Sequence, residues 1–297
     1  MKVAALQMVS TPDLARNLAA AAQGIAEAAA AGAILIALPE YFCLLGRSDR
    51  DKLAIAEFDG AGPIQTFLAD AARQHGVWII GGTLPMRIDA AADSGAAGAA
   101  GAAGAAGAAG AAGAAGAAAP AALRVHNSCC VYAPDGARAA RYDKIHLFAF
   151  DNGGERYDEG RTLQAGSAPI AFEAAGLRIG LSVCYDLRFP ELYRALMRPP
   201  CDLIVVPSAF TYTTGRAHWE LLLRARAIEN QCYVLAPAQG GQHENGRRTW
   251  GHSLLIDPWG EVVACLDAGQ GLVSGQIDAQ RLAQVRQQLP ALAHRRL

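Results

Sequence analysis

Three residues have the right types, in the right local settings, for covalent chemistry at an electrophilic carbon. Cys184 stands between the apolar run Leu177–Val183 and the polar pair Tyr185-Asp186. A tight strand-to-helix turn there exposes the sulfur, and nearby backbone N–H groups can hold negative charge. At neutral pH a thiolate is a better nucleophile than any hydroxyl. Such a nucleophile needs a base. His75, His126, His146, His218, His243, His252 and His294 are available, but none carries the local signature of a Cys/His pair. Glu40 is the alternative, provided burial raises its pKa and a cation does not lower it too far. Glu40 follows Ile34–Leu38 and Pro39, and Lys144 follows Ala137–Tyr142. All three side chains therefore sit just past a strand, at the edge where layered α/β folds bind ligands. Read singly, each has a plainer account: a packed thiol, a surface carboxylate, a surface cation. Cys43, Cys129, Cys130, Cys201, Cys232 and Cys265 keep the packing account, and adjacent Cys129 and Cys130 must face opposite sides of a strand.

The elements that would position these residues alternate between strand and helix. Val3–Met8 reads as a strand, after which Thr11-Pro12-Asp13 opens a helix with Thr11 as cap and Pro12 in its first turn. Gly32 closes that helix and Ile34–Leu38 is a buried strand. Pro63 starts a second helix, Gly76 ends it, and Val77–Ile80 is the next strand. Val125–Tyr132 and Ala137–Tyr142 form a hairpin around Pro134-Asp135-Gly136. Leu177–Val183 and Leu203–Val206 flank a short helix near Glu191–Met197. A helix at Ala217–Asn230 leads into strand Cys232–Ala236. A second hairpin joins His252–Ile256 to Glu261–Leu266. Leu272–Ile277 is the last strand, and a helix runs from Asp278 to about Gln288. This mixture implies α/β sheets covered by helices rather than a purely parallel sheet.

Composition narrows the function classes. The 297 residues are 52% hydrophobic and 18% charged, with a net charge of -1. That balance excludes a largely disordered chain and gives no electrostatic footprint for nucleic acid or an acidic membrane. A pocket for a small molecule is the default. Seven cysteines with no CxxC spacing fit a reducing cytoplasm. HExxH, GxGxxG, P-loop and paired zinc spacings are absent from the sequence, so no metal and no cofactor are expected. Met1–Met8 is too short for a signal peptide or membrane span. From Gly95 to Ala118 the triplet Gly-Ala-Ala repeats eight times. Gly at every third position weakens a helix by about 1 kcal/mol each, and no proline supports a collagen reading. The expectation is one domain over residues 1–297, carrying a flexible low-complexity insert at about 90–122.

Taken together, three stretches resemble the nitrilase (carbon–nitrogen hydrolase) superfamily: Leu38-Pro39-Glu40-Tyr41-Phe42, Tyr142-Asp143-Lys144-Ile145-His146-Leu147-Phe148 and Cys184-Tyr185-Asp186-Leu187-Arg188-Phe189-Pro190-Glu191. The resemblance continues through His218-Trp219-Glu220 and Arg224–Asn230 to the end of the chain, sparing only the insert. It implies a four-layer α-β-β-α sandwich with Glu40 as general base, Cys184 as nucleophile and Lys144 on the oxyanion. The backbone N–H of Tyr185 would be the second oxyanion donor, and Glu159, in Tyr157-Asp158-Glu159, an orienting carboxylate. Nitrilases proper show Cys-Trp-Glu, and N-carbamoyl amino-acid hydrolases Cys-Asn-Asp. Cys-Tyr-Asp-Leu-Arg-Phe-Pro-Glu is similar to the Nit amidase branch, which includes deaminated-glutathione amidase and ω-amidase. Residues 238–243 and 250–253 look closer to the former. The implied reaction hydrolyses the primary amide of a small dicarboxylate-type monoamide through a thioester, releasing ammonia. The alternatives are an ω-amidase acting on α-ketoglutaramate, an N-carbamoyl hydrolase, an acyltransferase or a silent binding protein on the same fold. Arg188 could hold the distal carboxylate, with Phe210, Thr211 and His218 in or behind the pocket wall. Gln242 and His243 could bond a longer tail. Assembly into a homodimer or higher homo-oligomer through Pro190–Met197 and Ala217–Asn230 is also implied.

Overall fold

The structure is a computed structural model describing residues 1–88 and 123–296. The Gly-Ala-Ala loop expected at about 90–122 lies outside the described residues. One mixed sheet comprises β1 (Lys2–Gln7), β2 (Leu35–Ala37), β3 (Trp78–Ile80), β4 (Leu84–Arg87), β5 (Val125–Tyr132), β6 (Arg138–Asp143) and β15 (Gly271–Gln276). Its order is β15-β1-β2-β3-β5-β4, with β6 also paired to β5. A second sheet comprises β9 (Ala171–Ala174), β10 (Leu177–Leu181), β11 (Leu203–Val205), β12 (Tyr233–Ala236), β13 (Ser253–Ile256) and β14 (Val262–Leu266), in the order β14-β13-β12-β11-β10-β9. A separate ribbon pairs β7 (Ala149–Asp151) with β8 (Arg156–Asp158).

Period-two alternation explains how the layers stack. Val3, Ala5, Leu35, Ala37, Cys129 and Val131 turn inward and share one core with Ile179, Leu181, Leu203, Val205, Leu235 and Leu255 of the other sheet. The intervening residues Ala4, Leu6, Ile36, Ile79 and Cys130 turn outward, where α1 (Leu14–Ala30) and α3 (Pro63–His75) cover them with Ala21, Ile25, Ile64 and Leu68. Cys129 and Cys130 thus bury on opposite faces. On the far side, α4 (Pro190–Leu196) and α5 (Tyr212–Asn230) cover the second sheet, with Trp219, Leu223 and Ala227 fully buried. The result is an α-β-β-α sandwich. A single turn, α2 (Asp51–Ala54), follows β2, and α6 (Ala279–Gln288) follows β15.

Local chemistry sets the boundaries. The β5–β6 turn closes as its residues dictate, with Gly136 at φ +82° and the Asp135 carboxylate accepting from Ala137 N at 2.8 Å. Helix α3 starts at Pro63 and ends at Gly76, which is left-handed. The α1 cap is Asp13 rather than Thr11. Asp13 accepts from Arg16 N at 3.1 Å, whereas the Thr11 hydroxyl turns to Asn17. Helix α5 begins five residues before the expected Ala217, because Thr211 caps it through Thr214 N.

Candidate active site

Three strand ends converge at one edge of the sandwich. Glu40 follows β2, Lys144 directly follows β6, and Cys184 opens a 3-10 turn, Cys184–Arg188, beyond β10. Two of the three residues are set by strained backbone nearby. Cys184 has φ +49° and Tyr41 φ +56°, a conformation costing a non-glycine residue of order 1 kcal/mol or more. The Cys184 elbow is pinned by its own N–H, which donates to Pro207 O at 3.0 Å. It is pinned again by Asp186, a fully buried carboxylate accepting from Val183 N, Tyr142 Oη and His146 N at 2.8, 2.6 and 3.0 Å. Tyr41 N donates to Thr83 Oγ1 at 2.9 Å. Gly82 completes the support. It is left-handed, and a Cβ there would stand 2.1 Å from Pro39 O, immediately behind Glu40.

The charged groups form one buried network. Lys144 is 0% exposed and Glu40 1%. The Lys144 ammonium donates to Glu40 Oε1 at 2.9 Å and to both Glu159 oxygens at 3.1 and 2.8 Å. Glu40 is fixed further by Asn127 Nδ2 and by Ala209 N, each at 2.9 Å. Glu159 is fixed by Tyr41 Oη and Phe148 N, each at 2.7 Å. The Cys184 thiol lies near enough to Glu40 to feel the charge of its carboxylate.

Electrostatics assigns each group a protonation state. Burial, opposed by Lys144 and reinforced by Glu159, holds the Glu40 carboxyl above the usual carboxylate range. Burial would also raise Glu159, but Lys144 and the Phe148 N–H hold it below that range. Burial works against the Lys144 charge, yet Glu159 and Glu40 outweigh it and keep the ammonium protonated. Burial first, then the Glu40 charge, pushes the Cys184 thiol well above its ordinary value. The sulfur therefore rests as a thiol beside a poised carboxylate base. Among the described residues, Tyr185 N–H has no protein acceptor, as the first turn of a helix requires.

A small cavity opens onto Cys184 and is lined by Tyr185, Arg188, Phe210 and Thr211, with Phe148 opposite. Arg188 does not pair with Asp186 or Glu191. Its guanidinium lies over the Phe210 and Tyr185 rings, 5.4 and 5.8 Å from their centroids, and reaches His218 Nδ1 at 3.3 Å. His218 is itself exposed and backs Arg188 from outside. The Thr211 hydroxyl is engaged with Thr214, so this residue shapes the wall and caps α5. Of the two residues expected to contact a longer tail, Gln242 is exposed and donates to Gly246 O at 3.0 Å, whereas His243 serves the fold. His243 is buried, with its ring nitrogens taken by Ser10 O and Thr249 Oγ1 at 2.9 and 2.8 Å. Gly240 is required because a Cβ would meet Gln7 at 2.7 Å.

A family model described as carbon–nitrogen hydrolase matches residues 2–287. The chain is a carbon–nitrogen hydrolase. It is 42% identical over 297 residues to a deaminated glutathione amidase from Synechocystis, covering 98% of this hydrolase and 97% of that protein. It is 34% identical over 298 residues to an ω-amidase, NIT2, from Xenopus tropicalis, covering 99% and 95%. Among solved structures it resembles Saccharomyces cerevisiae Nit3, a member of branch 10 of the nitrilase superfamily, with TM-score 0.81 and 26% identity, covering 100% and 97%. This hydrolase is accordingly an amidase acting on C–N bonds. Among its described residues no helix is long and apolar enough to cross a membrane.

Proposed function

We propose that this amidase hydrolyses a monoamide of a small α-keto dicarboxylate, with deaminated glutathione as the preferred substrate. The observation that carries the reading is a protonated thiol beside a base raised by burial, with a locked ammonium and a free backbone N–H at the same point. Cys184 attacks the amide carbon as its proton passes to Glu40. Negative charge collects on the former carbonyl oxygen, where Lys144 and Tyr185 N–H stabilise it in a dry site. Glu40 then protonates the leaving nitrogen, the C–N bond breaks, and an acyl thioester remains on sulfur. Water gives a proton to Glu40 and attacks the thioester, releasing the acid and restoring the thiol. Glu159 acts by orienting Lys144.

The leaving group needs one correction. α-Ketoglutaramate has a primary amide and yields ammonia. Glutathione without its amino group has only peptide-type amides, so its cleaved nitrogen leaves as a peptide amine. Arg188, stacked on Phe210 beside the nucleophile, suits the free carboxylate of the acyl part. The 42% relative named deaminated glutathione amidase supports the choice of substrate. Six buried free thiols and one exposed suit a cytoplasmic enzyme. The test compares kcat/KM for the two compounds. A clear preference for deaminated glutathione is expected, and equal or reversed preference assigns the chain as an ω-amidase.

A further inference from the structure

A second cavity, of about 230 Å³, lies behind Tyr41 and is lined by Leu44, Leu45, Ser48, Lys52 and Arg247 among others. Tyr41 separates it from the catalytic network, since the same side chain donates its hydroxyl to Glu159 at 2.7 Å. Three cations line this space; Arg47 is exposed and lies near Asp51, while Lys52 and Arg247 are half-buried and lack an anionic partner among the described residues. The Lys52 ammonium lies over the Tyr41 ring, 5.2 Å from its centroid, and among the described residues makes no ion pair. The Arg247 guanidinium lies over the Tyr157 ring at 5.0 Å and likewise makes none. Elsewhere arginines find carboxylates readily: Arg138 with Asp59, Arg226 with Glu229, Arg281 with Asp257 and Arg286 with Asp202.

Nearby carboxylates do not satisfy the pair. Glu159 influences Lys52, but its oxygens are occupied by Lys144, Tyr41 and Phe148 N–H. Asp49 lines the cavity rim, is exposed, and bonds neither cation. Burial pulls the Lys52 pKa below the usual lysine range, and Arg247 contributes in the same direction. Two half-buried cations held together over aromatic rings form a receptor for one anionic group. That group would lower the repulsion and supply acceptors for both heads. The cavity also far exceeds what an ammonia-sized leaving group needs.

We propose that this cavity is a leaving-group subsite in which Lys52 and Arg247 bind the carboxylate of an amino-acid or peptide amine. The proposal rests on the amidase reading above and extends it. Arg188 takes the carboxylate of the acyl part on the Cys184 side, and Lys52 with Arg247 takes the carboxylate of the amine beyond Tyr41. The substrate class is then a secondary amide with an anionic group at each end. The subsite makes no bond to the reacting atoms; it sets which amine is accepted.

The experiment measures kcat/KM for deaminated glutathione and for the same compound with its C-terminal carboxylate converted to a carboxamide. The wild-type enzyme should favour the free carboxylate by at least about tenfold. In the double variant K52M/R247M that ratio should fall close to one, and the lost preference should reside mainly in KM. Because the readout is a ratio within one protein, a general loss of activity from disturbed folding cannot imitate it. A wild-type ratio near one, or a ratio unchanged in the double variant, overturns the subsite. Failure to hydrolyse either compound or α-ketoglutaramate would instead overturn the amidase reading on which it rests.

Discussion

Replacing Glu159 with Gln tests the buried network where its electrostatics are most distinctive. Lys144 is held by three carboxylate oxygens, two of them from Glu159 at 2.8 and 3.1 Å and one from Glu40 at 2.9 Å. A glutamine removes the charge, and in either orientation its NH₂ faces the ammonium and one further donor, Tyr41 Oη or Phe148 N. Breaking a buried ion pair costs about 3–5 kcal/mol. Because Glu40 still partners Lys144, the lower end applies, about 3 kcal/mol. At about 2–4 °C per kcal/mol in a chain of this size, the melting temperature should fall by about 6–12 °C. Glu159 is held below its ordinary pKa in the fold. Its contribution is therefore fully present above the unfolded value near 4.3 and is lost as pH falls through the lower folded value. The melting gap between E159Q and wild type should narrow progressively as pH falls below about 4. Activity gives the sharper sign. The Glu159 charge helps to raise the Glu40 pKa, so its removal should shift the acidic limb of kcat/KM to lower pH. At the same time a loosened Lys144 should cost at least about 10²-fold in kcat, near 2.7 kcal/mol. A near-wild-type rate, or an acidic limb that stays put or moves to higher pH, would refute this reasoning.

Three further outcomes are expected. C184A should abolish amide hydrolysis while leaving a cooperative thermal transition close to wild type, and E40Q should lose at least about 10²-fold in kcat. K144A leaves Glu40 and Glu159 buried without their shared cation, so urea unfolding should show a loss of about 3–5 kcal/mol together with negligible turnover. On α5, Leu221 is 70% exposed and Ile228 49%. We propose that this face pairs two copies of the chain, so light scattering should give at least a dimer, and L221D should shift it toward the monomer.

Much of the site was legible because its residues follow strands. The strands preceding Glu40 and Cys184 declare themselves by hydrophobicity, β6 before Lys144 by the Pro134-Asp135-Gly136 turn that pairs it with β5, and the Pro63 start and Gly76 stop of α3 by backbone chemistry. The ribbon β7–β8, which delivers Glu159, was not legible. Its strands are three residues long, largely exposed and without an apolar alternation. Strand β9 was hidden because it is only four residues long, Ala-Phe-Glu-Ala, before the Ala175-Gly176 turn into β10. Asn127 holds Glu40 from within β5, where it is one of three successive buried polar residues, His126, Asn127 and Ser128, and the sequence gives no sign of which of them meets Glu40. Asp186 stands two positions before Arg188 in a polar stretch, yet it faces inward to Tyr142, His146 and Val183 N. The backbone donors at Ala209 and Phe148 have no sequence signature at all. Lys52 and Arg247 lie almost two hundred positions apart, and only the fold places them on one cavity.

The account stands on a thioester at Cys184, and mass spectrometry of the acid-quenched enzyme during turnover observes it directly. Two amides sharing one acyl group but differing in their amines should give the same mass increase, that of the acyl group less one hydrogen. Peptide mapping should place it on Cys184, and C184A should show none. An adduct that retains the amine, lies on another residue, or persists in C184A would contradict the mechanism.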